Sequence, residues 1–384
     1  MSVIFDPIFG QLAVGSATND RALLDALCET ETALARACAR SGLIELATAL
    51  EIGGACEEVR RMDPVELGRR SVAGGNPVIP LVAELRTRLE ARAAGDAAQA
   101  VHLGATSQDV LDTALMLICS RALGVVLGDL GDCAELIAAL AGEHRDTPMA
   151  GRTLLQQAVP TTFGALAAVW GSGLDRSRAR LDAVRAALPV QLGGAAGTLA
   201  GLHPHGLQVQ AALGHELDLA VPEGVWHTDR TVLTELAGTL GTVAATIAKV
   251  ASDIVLLAQS ELAELAEAAP GGSSAMAHKQ NPIAAVTARA AAMQVPGLVA
   301  TLLSAASPDL QRGAGSWHAE WTPLLTLLRT VGGASSRLRT SLSGLAVDTA
   351  AMAGNLGALE GTVDITDLGH AADLVDRYLD RRRS

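Results

Sequence analysis

The chain has 384 residues, 49% hydrophobic and 18% charged, a composition that excludes an intrinsically disordered protein. Its net charge of −12 argues against a protein whose task is to bind nucleic-acid phosphates. Only 2% of the residues are aromatic, so Ala, Leu and Val must fill the core, and these suit packed helices better than a β-sandwich. The length corresponds to roughly two to three domains at about 150 residues each.

In chain order, Met1 to Ala13 carries no basic stretch and has Asp6 early, so no signal peptide is expected and the cytoplasm is the expected compartment. Arg21 to Ser41 is predicted as a helix with Leu23, Leu24, Leu27, Leu34 and Ala37 on one face. Gly74 to Pro77 reads as a turn, and Ala93 to Gln99, small and polar, as a domain edge. Thr106 to Leu127 is predicted helical, opening with Thr106 three residues before Asp109 like a capping box. The five cysteines, Cys28, Cys38, Cys56, Cys119 and Cys133, fall inside predicted helices and read as reduced, buried thiols.

Two uncharged runs, Arg152 to Asp175 and Arg289 to Asp309, approach the length of a bilayer span. Gln156, Gln157 and Pro160 in the first, and Gln294, Pro296 and Gly297 in the second, favour helices buried in a bundle or between subunits instead. The glycines of Gly193 to Gly201 lack dinucleotide-fingerprint order. Thr231 to Ala268 reads as one long helix, with Glu261, Glu264 and Glu267 on a solvated face. Ile283 to Leu303, Thr322 to Leu345 and Leu368 to Arg383 are further predicted helices. No strand alternation or βαβ rhythm is found, so the expected class is all-α.

Four stretches could carry chemistry. Gly271 to Pro282 holds Ser273, Ser274, Lys279 and Asn281; Asn281 can cap a helix, and free N–H groups beside Lys279 would hold an anion. An ordinary capped loop explains the same residues. His102 to Thr113 offers Thr106 and Ser107 at a helix start, where N–H groups can hold a carboxylate; a plain cap with a surface histidine is the alternative. Gly151 to Gln157 contributes Arg152 and Gln157. Gln311 to Trp321 contributes Arg312, His318 and two of the four tryptophans. His203 and His205 read as a polar loop, and His215, His227 and His370 as surface or helix-terminal residues.

Together these stretches resemble the fumarase/aspartase superfamily. Gly271 to Pro282 looks like its G-S-S-x-M-P-x-K-x-N-P loop, with Ala277 in place of the Pro. Gly75 to Val82, His102 to Thr113, Gly151 to Gly164, Gln191 to Ala200 and Trp317 to Trp321 are most similar to its bacterial 3-carboxy-cis,cis-muconate cycloisomerase branch. The resemblance spans roughly the first 345 residues. The segment after Leu345 looks shorter than the usual C-terminal helical domain. The implied organisation is an N-terminal helical domain (1–100), a central long-helix bundle (101–343) and a shortened C-terminal helical segment (344–384).

The resemblance implies a cycloisomerase of aromatic (protocatechuate) catabolism that closes a muconate tricarboxylate to a lactone with no cofactor and no metal. It also implies a homotetramer whose active sites are shared between subunits, with no nucleic-acid or membrane partner. Ser273, Lys279, His102 and His318 are then candidate catalytic residues, with His144 a further candidate acid. Thr106, Ser107, Arg152, Gln157, Ser274, Asn281 and Arg312 are candidate substrate-binding residues. Other lyases of the superfamily, adenylosuccinate lyases among them, carry a His after the G-R-T triplet to protonate a leaving group. Leu154 stands there here, and Asn76 stands where adenylosuccinate lyases have another His. Such a lyase, or a structural relative without activity, are the alternatives.

Overall fold

The structure, a computed structural model, describes residues 3–276 and 278–383. In chain order the helices are α1 (Phe5–Ile8), α2 (Leu12–Thr18), α3 (Asp20–Arg40), α4 (Leu46–Val59), α5 (Pro64–Ser71), α6 (Val78–Ala91), α7 (Gly95–Ala100) and α8 (Ser107–Glu143). An antiparallel hairpin of β1 (Pro148–Thr153) and β2 (Gln156–Thr162) follows, then α9 (Phe163–Ala186), α10 (Gly206–Leu217) and α11 (Thr231–Leu257). The remainder is β3 (Leu265–Ala266), α12 (Ile283–Ala292), α13 (Val295–Ala305), α14 (Ser316–Leu342), β4 (Ala346–Val347), α15 (Thr349–Gly357) and α16 (Ala371–Arg383). β3 pairs antiparallel with β4, and among the described residues the fold is all-α apart from these two small strand pairs.

Local chemistry sets the helix starts. Asn19 accepts from Ala22 N–H, Asn76 from Val78 and Ile79 N–H, and Thr162 from Ala165 N–H, each satisfying first-turn donors. The long helices form the frame: α8 packs along α9 and α14, α9 along α11, and α12 and α13 lie against α11 and α14. Gly164 allows the start of α9 to meet the end of α8, since a Cβ there would fall 2.7 Å from the Ala141 and His144 carbonyl oxygens. The N-terminal helices pack as α3 on α4, α4 on α6 and α3 on α8. All five cysteines are free and buried.

Several elements differ from the sequence reading. The predicted helix to Ala268 stops at Leu257, and Glu264 and Glu267 are buried rather than solvated, because each has a partner described below. Ile283 to Leu303 is two helices: Pro296 at the start of α13 lacks an N–H and excludes the carbonyl of the preceding turn. The uncharged run from Arg152 begins as strand, and its two-residue turn is Leu154–Leu155, both left-handed at φ 53° and 64°. The Ala277 departure lies outside the described residues.

Among the described residues three helical stretches, Ser107–Glu143, Thr231–Leu257 and Ile283–Ala305, are long and apolar enough to cross a bilayer. An apolar 18-residue window in the first is 72% buried within the chain, whereas those in the other two are 44% and 39% buried, leaving apolar faces uncovered by this one chain.

Candidate active site

The start of α8 is the centre of a buried polar hub. Thr106 N–H donates to Asp109 Oδ2 at 2.9 Å and the pair forms the capping box read from sequence. The Asp109 carboxylate also accepts from Gly193 and Gly194 N–H, both at 2.9 Å, and faces His227 Nε2 at 2.6 Å. One turn on, Asp112 accepts from Arg230 at 2.8 Å, Trp317 Nε1 at 2.9 Å and Gln108 Nε2 at 3.2 Å. Arg230 reaches Glu320 at 2.7 Å. Burial alone would lower the Arg230 pKa, but the Asp112 and Glu320 carboxylates outweigh it and hold the guanidinium above its ordinary range. Burial raises Glu320 in spite of Arg230. His227 is therefore no surface residue: it is 4% exposed, and its ring on Asp109 and its carbonyl on Gln108 tie the loop before α11 to α8.

Several predicted site residues gather on this hub. Thr106 and Ser107 are half-buried at the α8 N-terminus, where the Ser107 N–H has no intrahelical acceptor and the helix dipole favours an anion. Arg312 donates to the Ala195 carbonyl at 3.0 Å, the Gly194 carbonyl at 3.4 Å and Gln108 Oε1 at 3.3 Å. None of these acceptors is charged, so the positive charge of Arg312 is not answered by a carboxylate there. His318 is exposed and packs edge-on to Trp317, with its ring centroid 4.7 Å from that of Trp321. A Cβ on Gly75 would lie 3.6 Å from His318 Nε2, which brings the Gly75–Asn76 turn to the same place. His102 sits just upstream, bonded through Nδ1 to Glu31 at 2.6 Å.

Arg152 and Gln157 form a second group. Arg152 is clamped by the fully buried Glu264 through two bonds of 2.6 and 2.9 Å, so its charge is already compensated. Asn355 Nδ2 donates to the same carboxylate at 2.8 Å, and Gln157 Nε2 donates to the Asn355 carbonyl at 3.3 Å. A cleft of 820 Å³ lies alongside, lined by Arg152, Gln157, Lys249 and Gln259 among others.

The third group is the loop from Gly271 to Asn281. Its base is closed by Gly271 and Asn281, which exchange backbone bonds of 2.8 and 2.9 Å. Ser273 Oγ accepts from Ala275 and Met276 N–H at 3.3 and 3.2 Å, and Asn281 Nδ2 donates to the Gly271 carbonyl at 3.2 Å. Ser274 and Lys279 are exposed, and among the described residues Lys279 has no ion-pair partner. The anion site expected at the following helix start is already filled. Glu267 accepts from Ala284 and Ala285 N–H at 3.1 and 2.8 Å and caps α12 itself.

Among the described residues no hydrogen bond links the three groups. His144 belongs to none of them. It ends α8, about 55 Å from Thr106 along a 37-residue helix, with Nδ1 on Thr147 and its ring edge-on to Phe163. The sequence reading missed Glu31, His227, Arg230, Glu264 and Glu267 as polar anchors. One signal was present for the hub: two acids, Asp109 and Asp112, three apart on an otherwise apolar helix must be buried with partners.

Comparison with known proteins follows the same lines. Residues 13–297 match the family described as lyase. The chain is 43% identical over 366 residues to a 3-carboxy-cis,cis-muconate cycloisomerase of Pseudomonas aeruginosa, covering 94% of this chain and 79% of that protein. It is 42% identical over 373 residues to a nitrosuccinate lyase of Streptomyces davaonensis, covering 94% and 78%. Its structure resembles that of a 3-carboxy-cis,cis-muconate lactonizing enzyme from Pseudomonas putida, with TM-score 0.88, 37% identity and coverage of 99% of this chain and 87% of that one.

Proposed function

The chain belongs to the lyase family of the fumarase/aspartase superfamily, and from that premise we propose that it is a cycloisomerase closing 3-carboxy-cis,cis-muconate to 4-carboxymuconolactone. In this reaction a substrate carboxylate oxygen attacks an alkene carbon and forms the C–O bond. The π electrons move onto a conjugated carboxyl group, and the resulting enolate-like carbon takes a proton. The site must hold three carboxylates, stabilise the extra charge on one and deliver that proton.

The residues divide accordingly. Thr106, Ser107 and the α8 N-terminus, with Arg312, bind carboxylates; His102 and His318 flank them. Ser273 and Lys279 on the loop manage the proton and the developing charge, with Ser274 and Asn281 as further donors. Gln157 lines the cleft, and Arg152 holds the hairpin on Glu264 rather than serving as a free cation.

The observation that carries the reading is Leu154. It stands 96% exposed at the hairpin tip, an apolar side chain where a lyase that must protonate its leaving group needs an acid. A lactonisation expels nothing and needs none there. Elimination from a nitro-substituted succinate is the second reading. Nitrite departs as an anion without a proton, so that reaction equally dispenses with an acid at position 154, and the Streptomyces relative favours it.

A homotetramer with shared sites completes the proposal. Two observations support it: the uncovered apolar faces of α11 to α13, and the exposed, left-handed Leu154–Leu155 tip, which a second copy would bury. The deciding assay follows loss of the muconate diene absorbance, with nitrosuccinate and adenylosuccinate in parallel. Turnover of the muconate alone is the expected result. Consumption of nitrosuccinate alone would replace the reading with the second. Inertness toward all three from a folded oligomer would leave a family member without this chemistry.

A further inference from the structure

Glu31 belongs to no motif. It lies on α3, is 1% exposed, and places Oε1 2.6 Å from His102 Nδ1. Its second oxygen, Oε2, is buried with no partner. A buried carboxylate with half its acceptor capacity unmet is costly unless a cation faces it. His102 itself is a non-glycine residue held at φ 64°, and its carbonyl accepts from Ala105 N–H as the chain turns into α8. Val101 is fixed just before it by a bond from Arg86 to its carbonyl at 3.2 Å. The backbone is thus bent so that the His102 ring meets Glu31, with its side chain still 14% exposed beside the helix start.

We propose that Glu31 is a positioning residue that keeps His102 as an imidazolium at the α8 N-terminus, supplying a fixed cation for one carboxylate of the substrate. The inference rests on the reading of this site as a polycarboxylate site. Its physical need is plain. The chain carries net charge −12, and Arg152 is neutralised by Glu264, so a multiply negative substrate must find cations elsewhere.

The groups around the ring agree. Burial pulls the His102 pKa down. The Glu31 carboxylate on α3, by charge and hydrogen bond, and Asp109 on α8 reverse this, and Arg86 on α6 opposes them; the net direction is up. Cys28 and Cys38 on α3 also lie near Glu31; the hydrogen bond with Cys56 and then burial push the Cys28 thiol up, and burial pushes Cys38 up.

The test is Glu31→Gln, which keeps the shape and an acceptor for the ring but removes the charge. The first readout is the ionisation of His102, followed by NMR of 13C-labelled histidine and assigned with His102→Gln. It needs no turnover. The His102 titration should move to lower pH in Glu31→Gln. The second readout is kinetic: KM for the muconate should rise about tenfold at about pH 8, while kcat changes less than about threefold, and the KM gap should close at about pH 6. His102→Gln should raise KM at both pH values, and adding Glu31→Gln to it should cost nothing further.

An unchanged His102 titration overturns the proposal. So does a shifted titration with a pH-independent KM, which would make the pair a structural pin. A shifted titration in a protein whose wild type leaves the muconate untouched would instead strike the functional reading and leave the ion pair standing. Should Glu31→Gln fail to fold, Glu31→Asp keeps the charge one methylene further away. It should shift the titration in the same direction by less.

Discussion

The start of α8 and the Gly271–Asn281 loop are the two polar centres of the proposed site, and they are built in opposite ways. Around α8, buried Asp109 is answered by His227, and buried Asp112 and Glu320 by Arg230, within a single chain. On the loop, bonds close the base and Ser273 bonds its own next residues, while Ser274 and Lys279 face outward. The contrast separates two tasks. A site that binds a trianion needs donors fixed before the ligand arrives, and the hub fixes Thr106, Ser107 and Arg312. Groups that transfer a proton need access to the reacting carbon, and the loop leaves its side chains accessible.

The largest effect expected from this difference is on stability. Arg230→Met leaves Asp112 and Glu320 buried without their cation and should cost about 3–5 kcal/mol in urea unfolding. Lys279→Met, on the loop, should change stability by less than about 0.5 kcal/mol. Equal losses would mean that the loop is as integral to the fold as the hub.

Activity should show the reverse order. Ser273→Ala and Lys279→Ala are each expected to lower turnover by about two orders of magnitude or more, on the order of 2.7 kcal/mol of barrier, with unfolding midpoints unchanged. Either variant with unimpaired turnover leaves the mechanism. A smaller and different effect belongs to the hub's rim. Arg312→Met should raise KM about tenfold, roughly 1.4 kcal/mol, with little change in kcat, because it removes ground-state attraction for a carboxylate. A drop in kcat alone would move Arg312 from binding to the chemical step.

What could be read from the sequence follows the range of the interactions. The start of α8 is legible because Thr106 and its capping partner Asp109 lie three residues apart, whereas the caps at Asn19 and Asn76 are seen only in the structure. Glu264 was read as solvated because its partner Arg152 is 112 positions away, and acidic spacing alone cannot reveal it. The hairpin escaped notice because its turn is Leu154–Leu155, without the Asn or Gly that usually marks two left-handed residues. The site motifs were legible as motifs, yet their grouping was not. Which cation is free depends on Glu264 and on the neutral acceptors around Arg312, and both are tertiary facts.

Glu267 gives the finest test of the comparison, because it stands at the base of the accessible loop yet behaves like the hub. It is 7% exposed and caps α12 through Ala284 and Ala285 N–H, a few residues after Asn281 closes the loop. Glu267→Gln keeps an acceptor oxygen but loses the charge facing the helix dipole, so the expected cost is about 1 kcal/mol. Turnover should fall by no more than about threefold, since the loop's own closure at Gly271 and Asn281 does not pass through this carboxylate. Were turnover to collapse while stability held, the α12 N-terminus would have to take part in catalysis. Anchored and accessible groups would then meet at one helix end, and the division between a binding hub and a chemical loop would fail there.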